Sequence, residues 1–174
     1  VLTERLPESQ LTVFELIALG RQPYTNWIDT LSKTDLEKIE TAIKQTEIGH
    51  LKNQRFYELS DGQLQRVLIA RALAQDTDVI ILDEPTAHLD MHQTINIFSL
   101  LQQLVKQTNK TIIVSSHEIN LALQLSDEII LLTENNLQFG TTEALIAKNA
   151  FDKLFPKNLL KFNKSLQQFV INKT

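Results

Sequence analysis

The apolar run VIILD at residues 79–83 limits the fold of this chain more than any other feature. A run of this length without polar alternation predicts a strand that is buried on both faces of a parallel sheet. TIIVSS at 111–116 predicts a second buried strand and EIILLT at 128–133 a third, with a helix at about 91–106 and a short helix, EINLALQLS, between them. This alternation predicts an α/β fold whose functional loops lie at the carboxyl ends of the strands.

The first 75 residues are mainly helical by pattern. Thr12 and Glu15 form a capping-box pattern, and Ser32 predicts the start of a second helix that runs to about Ile48. A third helix follows the segment LSDGQ at 59–63. The apolar face of the second helix is predicted to consist of Leu36, Ile39 and Ile43.

Composition excludes several classes of protein. The 174 residues carry a formal net charge of −4, which provides no basic surface suited to nucleic acid as the main partner. The sequence contains no cysteine, so it has no disulfide framework or thiolate zinc site, and a cytosolic setting fits. No apolar run approaches the roughly 20 residues that span a bilayer, so any membrane role is peripheral.

Two adjacent carboxylates follow the first predicted strand. Because a strand alternates its faces, Asp83 and Glu84 suit different tasks: one carboxylate can hold Mg²⁺ while the other faces an attacking water. Alone, the pattern is equally consistent with a strand that runs into an acidic turn. Three nearby segments favour the interpretation as a Mg²⁺ and water site: LSDGQ lies upstream, AHLD follows at 87–90, and the next strand ends in SSH.

Together these segments resemble the ATP-binding subunit of ABC transporters. LSDGQ is similar to the family's LSGGQ signature, VIILDEP to its Walker B strand and AHLD to its D-loop, and His117 falls at the position of the switch histidine. The resemblance implies the P-loop NTPase fold of an ABC ATPase core, carboxyl-terminal part, with an inserted α-helical subdomain. It divides the chain into a Q-loop region at 1–8, a helical subdomain at 9–75, the α/β core at 76–145 and a tail at 146–174.

The resemblance also assigns roles around ATP and Mg²⁺. It implies that Asp83 helps to hold Mg²⁺, that Glu84 acts as general base or polarises the attacking water, and that His117 senses the γ-phosphate. Asp90 is placed at a dimer interface, where it couples two sites. The residues expected to reach across that interface to the ATP of the opposite subunit are Ser60, Gly62 and Gln63.

The segment TVFELIALGRQPY at 12–24 is similar to importers of iron–siderophore, haem or cobalamin type. This likeness implies a homodimer of ATPase subunits on the cytoplasmic face of a bacterial plasma membrane. The helical subdomain would bind a transmembrane permease, and a substrate-binding protein would act indirectly. Two positions depart from the family: Glu4 occupies the place of the Q-loop glutamine, where it is a tentative Mg²⁺ ligand, and Asp61 replaces the first glycine of the signature pair.

The family's Walker A loop, GxxxxGK[ST], is not in this sequence. The four glycines are Gly20, Gly49, Gly62 and Gly140, and no two are five residues apart and followed by lysine. Because the sequence starts with Val1, we expect it to be the carboxyl-terminal part of a longer subunit, inactive alone, with apolar surface exposed at VIILD. Two alternatives remain: an ABC-type ATPase of DNA repair or translation, and a short non-catalytic module that lends its signature to a full-length partner.

Overall fold

The computed structural model describes residues 10–25, 30–133, 136–155 and 160–171. These residues fall into two units, Val1–Ser115 and Ser116–Thr174. The boundary lies inside the predicted core at 76–145, and the predicted division into four parts stays a prediction.

In the described residues, three α-helices dominate the amino-terminal part of the first unit: α1 (Val13–Ala18), which continues as a 3₁₀ helix (Leu19–Tyr24), α2 (Lys33–Gln45) and α3 (Asp61–Ala74). Two short 3₁₀ helices, Gly49–Leu51 and Phe56–Glu58, lie between α2 and α3. Each α-helix begins with a reciprocal capping box, at Thr12, Ser32 and Ser60 respectively. Such a box satisfies two backbone N–H groups that have no partner within the helix. The predicted helix starts at Thr12 and Ser32 are therefore confirmed.

The predicted apolar face of α2 is wrong at one residue. Ile39 and Ile43 are buried, but Leu36 is 41% exposed. The buried face also includes Asp35 and Ala42, so it is centred away from Leu36, which lies at its edge. The helix ends at Gln45, before the predicted end near Ile48.

Gly20 lies where the 3₁₀ helix passes close to α3. A Cβ atom at this position would lie 2.4 Å from the carbonyl oxygen of Arg71. Because that oxygen belongs to a helix backbone, we expect Gly20→Ala to lower the free energy of unfolding by about 1–3 kcal/mol in urea denaturation. Gly49→Ala is the control, since its nearest atom would be 4.0 Å away; equal losses in both variants would contradict this explanation.

The strands β1 (Val79–Asp83) and β2 (Thr111–Ser115) pair in parallel, with Val79 opposite Thr111 and Asp83 opposite Ser115. One face of the pair packs on the apolar core of the first unit through Ile80, Leu82, Ile112 and Val114. The other face carries Val79, Ile81 and Ile113, which are 48%, 74% and 38% exposed.

The prediction that both strands are buried on both faces is therefore wrong for the described residues. A parallel strand is buried on both sides only where elements pack on both sides. In the described part of the first unit, only one side of the pair is covered, as the exposed Ile81 shows. The expectation of exposed apolar surface at VIILD agrees with the structure.

Helix α4 (Met91–Gln107) joins the two strands, and its start and length agree with the predicted helix. Its buried stripe consists of Thr94, Ile97, Phe98, Leu100, Leu101 and Leu104. The stripe contributes to the core on which the strand pair packs.

The described part of the second unit contains two antiparallel strand pairs and short helices. In chain order the elements are α5 (Ile119–Leu125), β3 (Ile129–Thr133), β4 (Asn136–Gly140), α6 (Thr142–Ala147), a 3₁₀ helix (Ala150–Lys153), β5 (Leu160–Asn163) and β6 (Gln168–Ile171). The predicted pairing of the third strand with the segment LQF is confirmed as β3–β4. Leu123, Leu131 and Phe169 lie in the apolar core of the second unit. Across both units, none of the helices described is long and apolar enough to cross a bilayer.

Candidate functional site

The carboxyl ends of β1 and β2 bring Asp83, Glu84 and Ser115 together. The Ser115 hydroxyl donates a hydrogen bond to Oδ1 of Asp83 at 2.6 Å and accepts one from the backbone N–H of Glu84 at 2.9 Å. This contact follows from the parallel register, which places Asp83 directly opposite Ser115. All three residues are exposed. The predicted functional edge of the sheet thus presents the carboxylates of Asp83 and Glu84. The Ser115 hydroxyl bonds to the side chain of the first and the backbone of the second.

The turn after β1 has an unusual backbone. Glu84 and His88 have φ values of +46° and +68°, in the left-handed region that side chains with a Cβ rarely adopt. Hydrogen bonds from Ala87 N–H to Glu84 O (3.1 Å) and from Leu89 N–H to Thr86 O (3.2 Å) stabilise the turn. Strained backbone of this kind is concentrated at functional sites, where the surrounding structure holds it in place.

Asp90 caps the helix that follows this turn. Its Oδ1 accepts a hydrogen bond from the backbone N–H of Gln93 at 2.8 Å, at the start of α4. A carboxylate at a helix N-terminus is favoured both by this bond and by the helix dipole. The predicted role of Asp90 at a dimer interface stays a prediction.

The signature segment forms the start of α3, which begins at Asp61 within the motif rather than after it. Ser60 Oγ accepts from the N–H of Gln63 at 3.3 Å, and Gln63 Oε1 accepts from the N–H of Ser60 at 3.0 Å. Ser60 is thus an N-cap, but its hydroxyl retains a proton that it can donate to an anion.

Gly62 packs against the helix that Asp90 caps. A Cβ atom at Gly62 would lie 3.3 Å from Cδ of Gln93. The structure therefore brings the signature and the start of α4 together through Gln93. No sequence motif marks Gln93, and its contact arises only from the packing of α3 on α4.

His117 is exposed and lies two residues after β2, at the beginning of the second unit. Its carbonyl oxygen accepts a hydrogen bond from the N–H of Ile119, at the start of α5, at 2.9 Å. Glu4 lies outside the described residues. The roles assigned to His117 and Glu4 stay predictions.

Comparison with known proteins identifies the family. A family model described as ABC transporter matches residues 3–87. The chain is 43% identical over 120 residues to the achromobactin transport ATP-binding protein of Dickeya dadantii, covering 69% of this chain and 45% of that protein. It is 37% identical over 146 residues to a petrobactin import ATP-binding protein of Bacillus anthracis, covering 83% of this chain and 54% of that protein. The chain belongs to the ABC transporter ATP-binding family.

Solved structures of ABC ATPases confirm the predicted fold. A transporter described as metal-chelate type, in an inward-facing conformation, superposes with a TM-score of 0.77 at 26% identity and covers 96% of this chain and 67% of that chain. A dimeric ATP-binding cassette bound to ADP and Pi gives a TM-score of 0.60 at 31% identity, with coverage of 79% and 59%. The chain spans about half the length of the achromobactin transport and petrobactin import relatives.

Asp83 and the groups around it fit one part of a Mg²⁺–nucleotide site. Among the described residues, no group of three or more His, Cys, Asp or Glu side chains is placed to hold a metal ion. Mg²⁺ at nucleotide sites is commonly held by one or two carboxylates together with phosphate oxygens and water. Asp83 can supply one such carboxylate, because it is exposed and its Oδ1 is already oriented by Ser115.

Proposed function

We propose that the protein to which this chain belongs hydrolyses ATP and thereby energises the import of a metal chelate of the iron–siderophore, haem or cobalamin type. The contact of Ser115 with Asp83 and Glu84 at the carboxyl ends of β1 and β2 carries the proposal, because it orients a potential metal ligand beside a potential base. The substrate class rests on the relatives named for achromobactin transport and petrobactin import.

In this proposal the two carboxylates have separate tasks. Asp83 holds Mg²⁺, which neutralises charge that develops on the phosphates. Glu84, exposed on a turn whose backbone is held by Ser115, accepts a proton from the attacking water or polarises it. His117 senses the γ-phosphate.

The signature acts on a second subunit. Ser60, Gly62 and Gln63 stand at the N-terminus of α3, where backbone N–H groups and the helix dipole favour an anion. We propose that this anion is the γ-phosphate of ATP bound by the opposite subunit of a homodimer, and that Asp90 couples the two sites across the interface. The dimeric cassette among the structural neighbours supports this arrangement.

The remaining partners follow from the same proposal. A transmembrane permease binds the helical subdomain, a substrate-binding protein acts indirectly, and the subunit lies on the cytoplasmic face of the plasma membrane. The net charge of −4 argues against the alternative of a DNA-repair or translation ATPase.

We further propose that residues 1–174 alone hydrolyse no ATP at the rate of a complete subunit. Their sequence contains no GxxxxGK[ST] loop, whose backbone N–H groups and lysine bind ATP phosphates. The exposed face at Ile81 is consistent with a sheet that requires further elements on that side. Turnover by residues 1–174 equal to that of the complete subunit would disprove this.

Transport in reconstituted vesicles tests the proposed function. The full-length protein is combined with its permease, and uptake of an ⁵⁵Fe–siderophore is measured with ATP and with a non-hydrolysable analogue. We expect uptake only with ATP, together with ATP hydrolysis by the complex. Hydrolysis stimulated by DNA or RNA, with no uptake of iron–siderophore, haem or cobalamin, would instead support the nucleic-acid ATPase.

A further inference from the structure

We propose that Ser115 is a positioning residue that holds both the Asp83 carboxylate and the Glu84 backbone in the geometry needed for ATP hydrolysis. The inference rests on the proposed function. It gives Ser115, to which the family resemblance assigns no role, the task of placing the two carboxylates relative to each other.

The first support is the pair of hydrogen bonds made by one hydroxyl group. A serine hydroxyl has one proton to donate and lone pairs with which to accept. Ser115 uses the proton for Asp83 Oδ1 and a lone pair for the N–H of Glu84. The Ser115 oxygen, on the neighbouring strand β2, therefore contacts two consecutive residues: Asp83 at the end of β1 and Glu84 in the turn that follows.

The second support is the short length of the hydrogen bond from Ser115 to Asp83. Its length of 2.6 Å is typical of a hydroxyl that donates to a charged carboxylate, which is among the stronger hydrogen bonds in proteins. This bond restricts rotation of the carboxylate, whose other oxygen remains to bind Mg²⁺. Without it, the exposed Asp83 side chain would gain access to other rotamers.

The third support is the strained backbone of Glu84. Its φ of +46° is unfavourable for a residue with a Cβ. The bond from the Glu84 N–H to Ser115 anchors this residue at the point where the strand ends. Loss of the anchor would let the turn relax and move the Glu84 carboxylate away from its working position. Misplacement of a reacting group by about 1 Å can reduce a rate by about 100-fold.

Three variants of the full-length protein separate positioning from mere stabilisation. Ser115→Ala removes the hydroxyl, Ser115→Thr keeps it on a β-branched side chain suited to a strand, and Ser99→Ala removes an exposed hydroxyl from α4 as the control. ATPase rates are measured over a range of ATP and Mg²⁺ concentrations, and ATP affinity is measured separately without turnover.

We expect Ser115→Ala to lower kcat by about 10–100-fold and to raise the Mg²⁺ concentration for half-maximal activity, with ATP affinity nearly unchanged. Ser115→Thr is expected to restore kcat to within a few-fold of the wild type, and Ser99→Ala to match the wild type. A role in stability alone would lower the amount of folded protein but would not change the Mg²⁺ requirement of the folded fraction.

Two results would overturn the inference. The first is an unchanged kcat and Mg²⁺ requirement in Ser115→Ala while Glu84→Gln is inactive, which would leave the proposed function intact. The second is an equal loss in Ser115→Ala and Ser115→Thr. A wild-type protein with no ATPase activity would contradict the proposed function instead.

Amide hydrogen exchange provides a test that does not depend on activity or on the folding of Ser115→Ala. In the wild type and in Ser115→Thr, the N–H of Glu84 is expected to exchange more slowly than exposed loop amides, because it donates to the residue 115 hydroxyl. Exchange of this N–H in the wild type as fast as in an exposed loop would contradict the inference.

Discussion

Glu84→Gln in the full-length protein is expected to lower kcat for ATP hydrolysis by about 10²–10⁴-fold, the range typical of a lost general base. The substitution keeps the size of the side chain and the backbone N–H that Ser115 binds, so the turn after β1 is retained. Glutamine has no basic carboxylate to take the water's proton. ATP binding does not require that proton transfer, so the affinity for ATP is expected to remain close to that of the wild type.

The control for this prediction is Glu128→Gln, which removes an exposed carboxylate just before β3. We expect wild-type kcat in this control. Steady-state ATPase assays and equilibrium binding of a fluorescent ATP analogue provide the two measurements. A Glu84→Gln protein that hydrolyses ATP at the wild-type rate would exclude Glu84 as the residue that activates water.

Local signals could be predicted from the sequence, because their physical causes are local. Thr12 and Ser32 each have an acidic residue three positions later, and a capping box needs only those two residues and the backbone between them. The place of Asp83 at a strand end could be predicted for the same reason, since the apolar run stops there.

Burial could not be predicted in the same way. Ile81 belongs to an apolar run as clearly as Ile80, yet Ile81 is 74% exposed and Ile80 is 5% exposed. Residue type indicates what a strand can bury, whereas actual burial depends on which elements pack against each face. The run VIILD therefore predicts the strand correctly, but it does not predict whether other elements pack on the second face of that strand.

Contacts between distant residues were the other feature that could not be predicted. Glu84 and Ser115 are 31 positions apart, and their contact depends on the parallel register of β1 and β2. The approach of Gln93 to Gly62 likewise depends on how α4 packs beside α3. Ser115 had a visible signal, since it lies near the end of a strand pattern and shortly before His117, but the sequence does not show which residues its hydroxyl contacts.

A buried ion pair in the helical part of the first unit is expected to contribute strongly to thermal stability. Nε of Arg21 lies 2.8 Å from Oδ1 of Asp35, and both side chains are less than 10% exposed. Nη1 of Arg21 also donates to the carbonyl oxygen of Ala74 at 2.8 Å. The pair thus connects the 3₁₀ helix after α1, the first turn of α2 and the end of α3.

We expect Arg21→Ala to lower the Tm of the full-length protein by about 10 °C, because it leaves the Asp35 carboxylate buried without its cation. Differential scanning calorimetry provides the measurement. Lys38→Ala is the control: its Nζ lies 2.7 Å from Asp76 Oδ2, but both side chains are more than a third exposed. Loss of such an exposed pair is expected to change Tm by no more than about 2–4 °C.

A double variant distinguishes the ion pair from simple packing. If the loss arises from an uncompensated buried charge, Arg21→Met combined with Asp35→Leu should recover much of the stability lost in Arg21→Ala. A double variant as unstable as the sum of the two single variants would show that Arg21 and Asp35 act independently. The pair would then contribute through packing and helix capping alone.

The same carboxylate makes stability depend on acid pH in a defined range. Hydrogen bonds from the hydroxyl and backbone N–H of Ser32, and then from Arg21, lower the pKa of Asp35 from 3.8 to about 2. Because the pKa is lower in the folded state, the unfolded state binds more protons, and stability falls as the pH decreases. The contribution is complete above about pH 4 and is lost between pH 3.8 and about 2. Asp35→Asn should therefore flatten the decrease in Tm over this range relative to the wild type, and an unchanged slope would show that other carboxylates cause the decrease.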